Sequence, residues 1–230
     1  MDPGTGAAIE LTCDEVDGTI YDNDGAYPGV CEVTNGGLLT QAKADLVTAY
    51  DDADGRTPTQ TFVAGDNQLG GQNLTAGVYA FGGAATANLV GTLTLNGQGN
   101  PNAVFIFQAD STLVTASSSV VDLINGAQAC NVFWQVDSSA TLGSDSVFVG
   151  TIMALTAAGL DTGATVEGRV FARNAAVTLD QNVITNTACA LDTPDDDDDS
   201  DSDTLGSDTG SLAVGDIVPG LPDAGVGPRN

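Results

Sequence analysis

The sequence predicts a mainly β chain, a three-sided β-solenoid with one long α-helix packed alongside. Two observations carry this. Leucines at 142, 160 and 179 recur at steps of 18 and 19 residues, and valines at 147, 166 and 183 at steps of 19 and 17. The pairs Phe133-Trp134, Ile152-Met153 and Val170-Phe171 repeat with the same step. A period near 18 is three short strands of about six residues, one triangular coil. The other observation is a single helical stretch, after which short strands are broken by Gly, Asn, Asp and Ser from Thr59 to Thr187.

Each element follows in turn. Residues 1–37 read as an irregular segment rich in Gly, Asp and Pro, carrying Cys13 and Cys31. Over 38–54, Leu38, Leu39, Ala42, Leu46, Ala49, Tyr50 and Ala53 recur at three- and four-residue steps, an amphipathic helix stopped at Gly55. Its apolar stripe is expected along a long flat surface, within a solenoid domain spanning 38–190. Ala103–Phe107 is a strand-sized apolar run, echoed at Val132, and the excess between the two places an excursion at Val121–Cys130. Residues 191–230, with the run Asp195–Asp199 followed by Asp201 and Asp203, cannot bury apolar surface and read as a disordered acidic linker or tail.

Charge and cysteine usage narrow the function. The chain has 31 acidic residues against 5 basic ones, one lysine, no histidine and a net charge of -26. Nucleic acid and anionic membranes are disfavoured as partners. No run approaches the ~18 apolar residues of a membrane span. An acidic, lysine-poor surface suits a salt-adapted source. Four cysteines match no metal motif, and their even number suggests two disulfides out of three possible pairings, with Cys13–Cys31 and Cys130–Cys189 preferred, in an extracellular or cell-surface protein. Met1-Asp-Pro-Gly shows no signal-peptide pattern.

Chemistry-bearing groups are sparse. Asp110, Asp137, Asp145 and Glu167 have no spacing that gives two of them a shared site for glycosidic cleavage. Arg169 and Arg173 alternate on one side of a strand and are expected to pair with nearby acids. Asp14-Glu-Val-Asp17-Gly and Asp22-Asn-Asp24-Gly place oxygens near turns, but neither completes a calcium loop. No catalytic residue, metal or cofactor is assigned.

Several segments resemble a known family. Leu46-Val-Thr-Ala-Tyr-Asp-Asp-Ala-Asp-Gly-Arg-Thr-Pro58, Asn73-Leu-Thr-Ala-Gly-Val-Tyr79, Gly91-Thr-Leu-Thr-Leu-Asn-Gly97 and Asn102-Ala-Val-Phe-Ile-Phe-Gln108 are similar to segments of the microbial ice-binding-like proteins. Ile124–Val136, Phe148–Ala154 and Gly168–Leu179 continue the resemblance in the same order, over about residues 38–189. It implies a right-handed, discontinuous β-solenoid with a flanking helix, secreted or at the cell surface, binding ice through one flat face. Met1-Asp-Pro-Gly-Thr resembles a segment that in the family follows early strands, so about one coil and any signal peptide are expected to be missing.

A flat, rigid array of short side chains, often Thr, is what ice recognition needs. The family's ice-facing strands often carry Thr-(Ala/Gly)-x-(Thr/Asn). Thr162-Gly163-Ala164-Thr165 fits fully and Thr115-Ala116-Ser117-Ser118 loosely. Alignment on the following valine gives a ladder of Ser119, Ser146, Thr165 and Asn182, with Ser117, Ser144 and Thr162 as a second row. Ice, or an ordered water surface, is thus the expected partner of a monomer. The alternative is a cell-surface adhesion or envelope module of a salt-adapted microbe, meeting a surface partner with the same fold.

Overall fold

The computed structural model describes residues 9–63, 67–83, 85–186 and 188–190; the acidic tail expected at 191–230 lies outside them. Before the helix, β1 (Ile20–Asp22) and β2 (Glu32–Thr34) pair in parallel as a separate two-stranded sheet. The segment expected to be irregular therefore holds regular structure. Its strands are too short to show a period, and buried Asp22 fixes the turn between them by accepting the amides of Gly25 (3.0 Å) and Tyr27 (3.2 Å). The Cys13–Cys31 disulfide closes this unit. Helix α1 (Gly36–Asp54) starts two residues before its apolar stripe, because Asn35 caps it by accepting the Leu38 amide at 3.0 Å.

After α1 the chain winds through six coils. The first holds β3 (Gln60–Phe62), a bridge from Gln68 to Asn88, and β4 (Asn73–Thr75). The second holds β5 (Gly77–Phe81), β6 (Ala87–Leu89) and β7 (Thr92–Asn96), and the third β8 (Phe105–Ala109), β9 (Leu113–Thr115) and β10 (Val120–Ile124). The fourth holds β11 (Val132–Val136), β12 (Ala140–Leu142) and the start of β13 (Val147–Ala154). The fifth takes the rest of β13, β14 (Ala158–Leu160) and the start of β15 (Thr165–Ala172). The sixth takes the rest of β15, β16 (Val177–Thr178) and β17 (Val183–Thr185).

All neighbouring strands are parallel, and the coils stack into three faces. The helix face is β3, β5, β8, β11 and the second halves of β13 and β15. The broad face is β4, β7, β10, the first halves of β13 and β15, and β17. The narrow face is β6, β9, β12, β14 and β16.

Alternation along each strand sends every second residue inward. Inside, Tyr79, Phe107 and Trp134 stack from coil to coil, with ring centroids 5.4 and 3.9 Å apart. On the outside of the helix face, Val78, Ile106 and Met153 meet Leu46, Tyr50 and Ala53 of α1 in a second apolar cluster. Gln108 finishes the joint. Its Nε2 donates to the carbonyls of Ala53, Asp54 and Arg56 at 2.7, 3.0 and 2.7 Å, satisfying the free end of the helix. Tyr50 Oη donates to Asp137 at 2.6 Å, and Arg173 lies over the Tyr50 ring and 3.6 Å from Asp51. Burial first, then the neighbouring Asp137, Asp110 and Asp51, hold the Asp54 carboxyl above its usual range.

Register corrects two readings of the repeat. Val147 pairs with Thr165, and Thr165 with Val183, a strict step of 18; Thr165, not Val166, occupies the valine place. Likewise Trp134, Ile152 and Val170 form one row, so the Phe133-Trp134 pair stands one residue off the alignment with Ile152-Met153. The excursion is also shorter than expected. Val120–Ile124 pairs fully with β7, leaving only 125–131, and a second excursion at 97–104 lengthens the coil before it.

Candidate functional site

The broad face presents an ordered array of outward side chains that α1 does not cover. Its outermost row runs Thr92–Val120–Val147–Thr165–Val183, five coils in unbroken backbone register and free of charge. A second row begins Asn73–Thr94–Asp122 and reappears as Val149–Glu167–Thr185. A third, Thr75–Asn96–Ile124, exists only in the early coils. Of the later part only Val149 is covered: it points outward yet is 5% exposed, because the 3-10 turn Ala129–Asn131 packs on β13 and β15, whereas Glu167 and Thr185 are exposed.

Beside the outer row lies the corner between the narrow and broad faces. Each late corner carries one residue at positive φ, Ser118 (58°), Asp145 (55°), Gly163 (75°) and Gln181 (53°). These corners stack: the Ser118 amide donates to Ser144 O, Asp145 to Thr162 O and Gly163 to Asp180 O, at 2.9, 3.0 and 3.0 Å. Thr162-Gly163-Ala164-Thr165 is the corner whose left-handed position carries glycine, where the conformation costs nothing.

Against this geometry the expected site residues divide. Ser117, Ser144 and Thr162 stand three residues before the outer row in each coil and form one corner row, with Asp180 accepting the Thr162 hydroxyl. The row read as secondary is thus the one in register. Thr165 belongs to the outer row itself. Ser119 and Ser146 do not reach the surface: each is 1% exposed. They share an inward row with Ala164 and Asn182, one residue before the outer row. Asn182 spends its side chain on structure, donating to Asp161 O (2.8 Å) and Ala164 O (3.0 Å). The ladder of Ser119, Ser146, Thr165 and Asn182 mixed two rows, because one residue of slip exchanges the inner and outer faces of a strand.

The inner row makes a stability prediction. Ser119 and Ser146 hydroxyls are buried without a hydrogen-bond partner, and Ala164 fills the same place one coil on. An unpaired buried hydroxyl costs about 1–3 kcal/mol, so Ser146→Ala is expected to raise stability by roughly 1 kcal/mol. A denaturant midpoint at or below that of the parent protein contradicts this.

Thr92, Thr94, Val120, Val147 and Val183 were not assigned to the site from the sequence, although Val147 and Val183 marked the repeat. The alternation Thr92-Leu-Thr-Leu-Asn96, with Leu93 and Leu95 fully buried, was the available signal.

A family model described as Ice-binding-like matches residues 3–185. The chain belongs to the Ice-binding-like family. It is 41% identical over 183 residues to the ice-binding protein of Flavobacterium frigoris (strain PS1), covering 80% of this chain and 64% of that protein. It is 45% identical over 164 residues to the ice-binding protein of Nostoc sp. (strain HG1), covering 68% and 59%. It thus spans about six-tenths of the length of these two relatives. Among solved structures, it resembles an ice-binding protein of the Antarctic ascomycete Antarctomyces psychrotrophicus, with a TM-score of 0.63 and 41% identity over 69% of this chain and 75% of that one. The helix-flanked solenoid described above is therefore the architecture of the Ice-binding-like family in this chain.

Proposed function

We propose that this chain adsorbs to ice through its broad face, without catalysis, as an extracellular antifreeze or recrystallisation-inhibiting protein. The observation that carries this is the outer row Thr92–Val120–Val147–Thr165–Val183, uncharged in a chain of net charge -26 and held in register through five coils. Parallel coils repeat at about 4.8 Å. The row therefore presents methyl and hydroxyl groups at one fixed spacing along the solenoid axis. Methyl groups restrict neighbouring water, and Thr hydroxyls bond it in place. Each contact is weak, and rigidity over many repeats supplies the adsorption. The corner row Ser117, Ser144 and Thr162 widens the patch, while Asp122 and Glu167 mark its charged margin. Two disulfides and an acidic surface fit the extracellular setting.

Thr165→Tyr places a ring in the middle of the outer row and breaks its flatness. It is expected to abolish ice-crystal shaping with an unchanged unfolding midpoint. Thr141→Tyr, on the outward side of the narrow face, is expected to shape crystals as the parent protein does. Equal shaping by Thr165→Tyr places the adsorbing surface elsewhere.

A further inference from the structure

Most asparagine side chains of this fold have a structural task. Asn35 accepts the Leu38 amide, and Asn88, Asn131, Asn174 and Asn182 each donate to a backbone carbonyl at 2.8–3.2 Å. Asn73 is different. It stands in β4, although asparagine is depleted from strands, and its side chain is exposed. Among the described residues, neither its carboxamide nor the Thr75 hydroxyl has a hydrogen-bond partner. Packing and hydrogen bonding therefore give no reason for asparagine at this place.

The sequence supplies one. Asn73-Leu74-Thr75 is the only Asn-x-Ser/Thr triplet in the 230 residues, and its middle residue is not proline. That is the pattern at which exported chains receive sugar on the asparagine nitrogen. The product is bulky, so the folded chain must leave the asparagine open to solvent. A strand's period of two does this here. Asn73 and Thr75 both face outward and are exposed, while Leu74 between them points inward and is 6% exposed. The strand is three residues long, with Gly70 and Gly71 before it and Gly77 after it, so the triplet sits between turns.

We propose that Asn73 is an oligosaccharide acceptor, modified as the chain is exported. The Asn73 carboxamide nitrogen bonds to C1 of the first sugar of a lipid-phosphate-linked oligosaccharide. The C1–O bond to the phosphate breaks, its electron pair leaves with the lipid phosphate, and the nitrogen loses one proton. Asn73 pairs with Thr94 and Thr75 with Asn96, so the sugar stands at the first-coil end of the broad face. It adds neutral, hydrated bulk beside Thr92, where the outer row begins, and lies four coils from Thr165. The modification requires the extracellular setting proposed above and is independent of what the broad face adsorbs.

Intact mass of the full chain, recovered separately from the medium, the surface and the interior of its own organism's cells, tests this. The parent protein found outside the cell is expected to exceed its polypeptide mass by whole sugar units. Asn73→Gln and Thr75→Ala, expressed in the same organism, are each expected to lose that excess completely, and Thr75→Ser, which keeps the hydroxyl, to retain it. External parent protein that differs from Asn73→Gln only by the substitution itself overturns the acceptor and leaves the extracellular setting standing. An excess that persists in both Asn73→Gln and Thr75→Ala also overturns it, because the added mass then sits elsewhere. Parent protein confined to the cell interior at its polypeptide mass overturns the setting and the acceptor together.

Discussion

Gly168→Ala is expected to cost about 3 kcal/mol or more, a large share of the margin of a domain whose total stability is typically ~5–15 kcal/mol. Gly168 sits where β15 turns from the broad face to the helix face, with φ +149°, a conformation side chains rarely adopt. A methyl group there would stand 2.1 Å from the carbonyl oxygen of Gly150, its partner in the coil below. Gly150 itself has φ +109° and would meet Val132 O at 2.7 Å. The coils thus touch backbone to backbone at this corner, and an added carbon forces them apart. Gly71→Ala is the control: φ is +83°, but nothing lies within 4 Å, so only the conformational cost of about 1 kcal/mol remains. Denaturant unfolding separates the two. A Gly168→Ala cost no larger than that of Gly71→Ala refutes the close-contact explanation.

Trp134→Ala is expected to cost about 3–5 kcal/mol. Trp134 is fully buried, stacked on Phe107 at 3.9 Å and 9°, and tilted against Phe148 at 4.9 Å. Its indole N–H donates to Val149 O at 3.0 Å, so truncation leaves a large cavity and an unpaired carbonyl together. Trp134→Phe keeps much of the ring stack and loses the hydrogen bond, with an expected cost of about 1–3 kcal/mol. If the two variants are equally destabilised, the stacked column is not what holds these coils.

The architecture was legible because two periods are written plainly in the chain. Leu46, Tyr50 and Ala53 mark the helix stripe, and all three are buried against the solenoid. The 18-residue step is visible in Leu142 and Leu160, which are paired neighbours in the structure. The cysteine pairing preferred among the three possible ones is the one the structure shows. What was not legible is register at single-residue precision. β15 opens Thr165-Val166 where β13 opens Val147-Phe148, so alignment on valine slips by one and brings inward Ser119 and Ser146 onto the candidate surface. The strip cover at 125–131 escaped for another reason: it depends on where an insertion folds back, which no local periodicity encodes. The strict rows appear only when hydrogen-bond partners fix each coil against the next.

The broad face of the folded chain is proposed to adsorb to ice. Uptake into slowly growing ice, measured with the purified protein and Thr165→Tyr side by side, tests it most directly. The parent protein is expected to concentrate in the ice fraction and the variant to remain in the liquid. Folded parent protein that stays wholly in the liquid, at low and at high salt, contradicts the account.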